Sequence, residues 1–249
     1  MQSLRFTAES STDGVLERDF VVGEVPGVLW SPAGAGRAPL VLMGHGGGNH
    51  KRHPAMAGRA RRFATACGVH VAVIDAPGHG DRPRTAHDER EVTALRAARD
   101  AGEPEGPAAR RYSAYLADRA VPEWKATLDA LQQLPEIGAD GPVGYFGINL
   151  GTAIGIPLVA TEPRITAAVF GLHWPDVVAE QARQITIPIE FVLQWDDEDI
   201  DREAGLELFD AFASAEKTLH ANAGKHHDVP RFEVESAARF FGRHLTAPA

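Results

Sequence analysis

The stretch "GPVGYFGINLGTAIGIPLV" at residues 141–159 decides the fold. It opens with a short apolar run, passes through a tight turn flanked by Gly147 and Gly151, and continues as an apolar segment of helical length. A strand, a sharp turn and a helix in this order are typical of the G-x-S-x-G elbow, which presents a nucleophile at its apex. Asn149 stands at the apex here, where that pattern has serine.

The two glycines of the turn predict a strained backbone at position 149. Side chains two residues before and two residues after the apex would collide in so sharp a turn, so small residues are required there. Asparagine tolerates a positive φ better than most residues do. The turn is therefore expected to survive with Asn149 at its apex.

Short apolar runs that alternate with helical patterns predict an α/β fold. Runs of this kind end near residues 44, 75, 147, 171 and 194. Strands that are apolar throughout are typical of a mostly parallel sheet covered by helices on both faces. Ligands bind at the carboxyl ends of such strands.

Other segments give more local expectations. Residues 15–30 read as one or two strands with a turn at Pro26-Gly27, and Pro230 is placed well for the first turn of a final helix.

Residues 82–120 are charged, and their middle is rich in Gly and Pro. No strand fits there. We expect one domain over residues 1–249, with 82–120 inserted as a small lid over the strand ends; a plain surface excursion is the alternative.

A glycine-rich loop follows the first predicted buried strand. It reads His45-Gly46-Gly47-Gly48. A backbone N–H of Gly46 or Gly47 could pair with the N–H of Leu150, and two such donors stabilise a developing oxyanion. A flexible glycine turn is the simpler interpretation of the same residues.

Two further loops carry an acid and a histidine. "LQWDDEDI" closes a strand with acids, of which Asp197 is preferred and Asp196 is the close alternative. "NAGKHHDVP" offers His226, preferred over its neighbour His227. The chain order is then position 149, acid, histidine, which differs from the order in the chymotrypsin and subtilisin folds.

His173 and Trp174 follow another predicted strand, in "LHWPD". They are candidates for lining a substrate pocket, and packing alone explains them equally well.

Together these motifs resemble the α/β-hydrolase superfamily, in particular its compact bacterial esterase and dienelactone-hydrolase-like group. The resemblance runs over nearly the whole chain and includes a D-x-P-G-H-G turn at Asp75 to Gly80. It implies hydrolysis of a small ester, thioester or lactone through a seryl acyl-enzyme. It also implies Asp197 and His226 as acid and base, and Leu150 with Gly46 or Gly47 as oxyanion donors. It does not supply the nucleophile.

A carboxamide is a poor nucleophile, because its nitrogen lone pair is delocalised into the carbonyl. Asn149 therefore leaves four interpretations open. In the first, Asn149 is an engineered or sporadic substitution on a true hydrolase. In the second, the His226–Asp197 pair activates water or abstracts a substrate proton in a cofactor-free enzyme, which need not be hydrolytic. In the third, the protein binds a ligand without turnover, and in the fourth, Asn149 deamidates to a nucleophilic carboxylate.

Composition narrows the partners. The net charge of −9 argues against nucleic acid, and no apolar run approaches the length needed to cross a bilayer. The single cysteine and the absence of a recognisable signal peptide predict a cytoplasmic location. No nucleotide motif is present, and His50 and His53 lack companion ligands, so we expect neither cofactor nor metal. A small-molecule substrate is expected, with a homodimer possible.

Overall fold

The computed structural model of the protein describes residues 2–246, which contain nine strands and seven helices. The strands β1–β9 are Leu4–Thr12, Val15–Val22, Val25–Pro32, Leu40–Gly44, His70–Ile74, Val143–Gly147, Ile165–Gly171, Ile189–Gln194 and Lys217–Asn222. The helices α1–α7 are Pro54–Cys67, Ala86–Ala101, Gly106–Leu131, Leu150–Thr161, Ala179–Ala182, Arg202–Ala211 and Phe232–Leu245.

All nine strands form one sheet in the order β1-β2-β3-β5-β4-β6-β7-β8-β9. The pairs β1–β2, β2–β3 and β3–β5 are antiparallel, and the other five pairs are parallel. Helices α1 and α7 pack on one face of the sheet, and α3 to α6 pack on the other. This confirms the predicted α/β-hydrolase architecture, a mostly parallel sheet with helices on both faces.

The sheet reverses its direction of growth at β4, which lies between β5 and β6. Gly44 at the end of β4 is in register with Gly147 at the end of β6. The glycine-rich loop and the elbow therefore leave the sheet side by side. Such a switch point is where open α/β sheets bind their ligands.

The amino-terminal strands differ from the sequence expectation. There are three of them, and the predicted turn at Pro26-Gly27 is wrong because both residues lie within β3. The chain turns instead at Asp13-Gly14 and at Gly23, where φ is positive. Gly27 is needed for packing, since a Cβ there would lie 2.2 Å from the ring of Phe20.

Residues 82–120 contain α2 and the first part of α3, and no strand lies among them. Thr85 begins α2 with a capping box, in which its side chain and that of Asp88 each bond the other's backbone N–H.

The expectation for Pro230 is wrong: α7 begins at Phe232 and has Arg231 as its N-cap, so Pro230 precedes the helix. Across residues 2–246, no helix combines the length and apolar character that a membrane span requires.

Candidate active site

The elbow places Asn149 at the apex between β6 and α4. Its backbone has φ 58° and ψ −123°, a sparsely populated conformation that costs on the order of 1–3 kcal/mol. The N–H of Asn149 donates to the carbonyl of Gly171 at 3.0 Å, which fastens the apex to the end of β7. The strained apex predicted from the sequence is present.

The flanking glycines are required by contacts with neighbouring backbone. A Cβ at Gly147 would lie 2.5 Å from the carbonyl oxygen of Gly151, and a Cβ at Gly151 would lie 2.7 Å from that of Gly44. Real Cβ atoms do not approach oxygen so closely. The first glycine makes room for the turn, and the second lets α4 approach β4.

Three side chains meet at the apex. His226 Nδ1 lies 2.7 Å from Asp197 Oδ2, and His226 Nε2 lies 2.7 Å from Asn149 Nδ2. An ionised carboxylate can only accept, so Nδ1 carries the ring proton and donates it to Asp197. Nε2 is then left with a lone pair, which accepts from the Asn149 amide.

Asp197 is buried, with 3% of its side chain exposed. Burial alone would raise the pKa of this carboxyl, but hydrogen bonds from the His226 ring and from the backbone N–H groups of Ile200 and Asp199 outweigh it and lower the pKa. Asp197 is therefore held as a carboxylate that orients the imidazole.

The two alternative residues take other positions. Asp196 accepts from the backbone N–H of Gly224 at 3.1 Å, and its own N–H donates to the carbonyl of Gly224. It thereby joins the acid loop to the histidine loop. His227 packs edge-on against His226 with ring centroids 4.9 Å apart. Of the pairs left open by the sequence, the structure brings Asp197 and His226 together.

The glycine-rich loop is fixed by His45, a residue the sequence analysis gave no such role. The backbone N–H of Ala76 donates to His45 Nε2 at 3.0 Å, so Nδ1 carries the proton and donates to the carbonyl of Gly46 at 2.9 Å. Burial lowers the pKa of His45 to about 4, which keeps the ring neutral. Gly47 lines the cavity described below. Gly46 is not part of that lining, and its carbonyl accepts the hydrogen bond from His45. Leu150, the first residue of α4, has no partner for its N–H within the helix.

A buried ion pair also escaped the sequence analysis. Lys51 Nζ lies 2.6 Å from Asp75 Oδ2, and the backbone N–H groups of Lys51 and Asp81 donate to the same carboxylate. Asp75 is fully buried and the Lys51 side chain is 7% exposed. The pair ties the chain after the glycine-rich loop to the turn after β5. The D-x-P-G-H-G pattern was the available signal for Asp75.

Comparison with known proteins settles the family. No protein-family model matches the chain, and no curated protein sequence matches it. Among solved structures, a cold-adapted esterase from an Arctic intertidal metagenomic library superposes with a TM-score of 0.77 at 30% identity. The match covers 97% of this chain and 100% of that esterase. The chain belongs to the α/β-hydrolase family.

Two more distant structures agree on the fold. An acetyl xylan esterase from a Paenibacillus species has a TM-score of 0.70 at 13% identity, covering 98% of this chain and 88% of its own. A dienelactone hydrolase from Anabaena variabilis has a TM-score of 0.62 at 18% identity, covering 98% and 100%. At these identities the likeness concerns architecture alone.

In this α/β-hydrolase the apex opens into a cavity of about 590 Å³. Helices α2 and α3 roof it with one face each. Its lining includes side chains of these two helices and of the loops at the strand ends: Val92, Leu95, Arg96, Tyr112, Leu116, Asn149, Leu150 and His226. The cavity has the size of a small-molecule site.

His173 and Trp174 also line this cavity. His173 is 2% exposed, and burial lowers its pKa to about 4, so its ring is neutral. Neither ring nitrogen hydrogen-bonds to a protein atom among residues 2–246. Trp174 packs against α3, since a Cβ at Gly106 would lie 3.4 Å from its indole and the Arg110 guanidinium lies 5.5 Å from its ring centroid. Both residues stand at the cavity wall, and Trp174 joins that wall to the roof.

Proposed function

We propose that this α/β-hydrolase hydrolyses a small carboxylic ester, thioester or lactone, with a water molecule as nucleophile. The observation that carries the proposal is the pair of 2.7 Å contacts from Asp197 through His226 to Asn149, at the floor of the cavity. The structurally similar proteins include two esterases and a dienelactone hydrolase, which supports ester chemistry in this frame.

Asn149 is not the nucleophile in this proposal. Its amide nitrogen donates to His226 and has no lone pair available for attack. Loss of a serine at such an apex costs on the order of 10⁴–10⁶ in the rate of the acyl-enzyme route. The amide can instead hold a water or the substrate carbonyl by hydrogen bonding.

The reaction then needs one proton transfer in each direction. His226 Nε2 removes a proton from the water as its oxygen attacks the carbonyl carbon, and Asp197 stabilises the imidazolium without taking the proton. In this proposal the backbone N–H groups of Leu150 and Gly47, two residues of the cavity lining, stabilise the oxyanion. Collapse of the intermediate breaks the bond to the leaving group, which takes the proton from Nε2. For the water to reach Nε2, the Asn149 amide must turn away from it.

The same contact favours a second candidate, a binding protein without turnover. Because the Asn149 amide occupies Nε2, the base is engaged in this conformation. A protein of this kind would hold its ligand in the cavity unchanged.

The substitution Asn149→Ser tests the proposed frame. Serine supplies a hydroxyl that His226 can deprotonate, and Gly147 and Gly151 already leave room for the turn. We expect at least ~10²-fold faster hydrolysis of p-nitrophenyl acetate and butyrate, about 2.7 kcal/mol off the barrier, with labelling by a fluorophosphonate probe.

Asn149→Ala is the matched control. It frees Nε2 without adding a nucleophile, so it should retain water-based turnover and resist the probe. If a folded Asn149→Ser protein gains neither activity nor label, the hydrolytic frame is refuted. If the wild type leaves every ester intact while binding it, the second candidate replaces the first.

A further inference from the structure

We propose that Glu190, His220 and Glu233 form a binding site for a divalent metal ion of the zinc type, outside the active-site cavity. Glu190 lies on β8, His220 on the neighbouring strand β9, and Glu233 in the first turn of α7. One ligand atom from each side chain lies within 4.8 Å of the other two. Two neighbouring strands and the first turn of α7 thus bring the three side chains together.

The charge of the cluster calls for a cation. The side chains of Glu190 and Glu233 are 5% and 6% exposed. No lysine or arginine nitrogen of residues 2–246 lies within 4.0 Å of either carboxylate, and His220 is their one ionisable partner. Burying an ionised carboxylate without compensation costs several kcal/mol. A divalent cation between the two carboxylates would compensate both of them, whereas the one imidazole within 4.0 Å compensates a single charge.

Both carboxylate oxygens of Glu233 accept hydrogen bonds, whereas only one oxygen of Glu190 does. Glu233 accepts from Asn222 Nδ2 at 2.9 Å and from His220 Nδ1 at 2.8 Å. Glu190 Oε2 accepts from Ser236 at 3.2 Å and lies 3.7 Å from His220 Nε2, too far for a hydrogen bond. Glu190 Oε1 has no partner among the described residues. Buried carboxylate oxygens are rarely left this way.

The donor set selects the class of metal. One imidazole nitrogen with carboxylate oxygens suits zinc and similar transition metals, whereas magnesium and calcium favour oxygen alone. Tetrahedral zinc places neighbouring ligand atoms about 3.3 Å apart, so the three side chains, whose ligand atoms lie within 4.8 Å of one another, would close by up to about 1.5 Å on binding. The His220 side chain is 23% exposed, which leaves a route for the ion and room for a water ligand.

The sequence predicts no metal, because these three ligands are not closely spaced along the chain. Glu190 was the available signal, as a charged residue in the middle of the apolar run "PIEFVLQW". Its partners follow at positions 220 and 233, with no motif spacing.

Isothermal titration of the EDTA-treated full-length protein with Zn²⁺ tests the site. We expect one ion per chain, and Glu190→Gln and His220→Ala should each weaken binding by at least ~10-fold, since even outer-shell substitutions at metal sites cost this much. Glu216 is an exposed glutamate before β9, so Glu216→Gln is the matched control. This variant should bind Zn²⁺ as the wild type does. Circular dichroism of each metal-free variant verifies its fold.

His226→Ala separates this site from the active site, where Asp197, Asp199 and His226 also lie within 4.8 Å of one another. Binding that survives His226→Ala and is weakened by Glu190→Gln supports the proposal. Binding that is lost in His226→Ala, or that is unchanged in both Glu190→Gln and His220→Ala, overturns it, as does an absence of binding. Co²⁺ absorption adds a second readout, because its visible bands should disappear in folded His220→Ala. None of these outcomes depends on ester hydrolysis.

Discussion

Two histidine–carboxylate pairs, one within β9 and one in the loop that follows it, differ in what surrounds them. His226 Nδ1 lies 2.7 Å from Asp197, and His220 Nδ1 lies 2.8 Å from Glu233. Beyond Nδ1 the likeness ends. His226 lies at the cavity floor with Asn149 against Nε2, whereas His220 lies beneath α7 with the buried carboxylate of Glu190 nearby.

The two pairs show that orienting a histidine ring is distinct from giving a substrate access to it. A carboxylate on Nδ1 fixes the ring and its tautomer in both pairs, so that contact alone does not define a general base. The group near Nε2, and whether a substrate can reach it, decides the role. The loop 223–231 carries His226 beyond the end of β9, while His220 stays within the strand.

The largest contrast is expected between His226→Ala and His220→Ala. Removing a general base lowers the rate by roughly 10²–10⁴-fold, so His226→Ala should lose ester hydrolysis to that extent. His220→Ala should keep activity within about threefold once its folded fraction is matched, because His220 is not part of the cavity lining. Steady-state kcat/KM for p-nitrophenyl butyrate measures both. Equal losses in the two variants would contradict the distinction.

A smaller contrast is expected between the adjacent acids. Asp197→Asn leaves the volume unchanged but removes the charge that stabilises the imidazolium, and we expect a loss of up to about 10⁴-fold in kcat. Asp196→Asn keeps an oxygen that can accept from Gly224, so a change below about threefold is expected. If Asp196→Asn is the more damaging of the two, Asp197 does not orient the base.

The smallest effect concerns stability in acid. The pKa of Asp197 is lowered in the folded protein, so its contribution to stability is present above its unfolded pKa of about 3.9 and is lost as the pH falls through the folded pKa. The difference in unfolding free energy between wild type and Asp197→Asn should therefore shrink as the pH falls from 6 to 3 in urea titrations.

The matched background for that titration is His226→Gln. Since the His226 ring is one cause of the lowered pKa, Asp197→Asn should show a weaker pH dependence in this background. An identical pH dependence of the unfolding free energy in both backgrounds would show that His226 does not lower the pKa of Asp197.

Much of the frame was predictable because its constraints are local. Gly147 and Gly151 mark a sharp turn, and an apolar strand before them with an apolar helix after them is readable within twenty residues. The order of Asn149, Asp197 and His226 then followed from loops at strand ends. The choice of Asp197 over Asp196 was not local, since it depends on which carboxylate the folded loop turns toward the histidine.

The errors arose where pattern and packing conflict. β1 was not predicted because the alternation of Leu4 and Phe6 with polar residues ends after four positions and the rest of the strand is exposed. Pro26-Gly27 resembles a turn, but Gly27 is there to admit the Phe20 ring. The burial of His173 and the cluster around Glu190 are tertiary properties, since each depends on residues far away in the chain.

The backbone contacts of Gly147 and Gly151 bear on how this protein evolves. Those two positions reject any side chain, whereas the apex between them holds an amide here and a hydroxyl in the G-x-S-x-G pattern. Serine and asparagine codons can differ by a single nucleotide. One mutational step therefore converts this apex into that of the G-x-S-x-G pattern, and a search that demands serine at the apex would pass over such members.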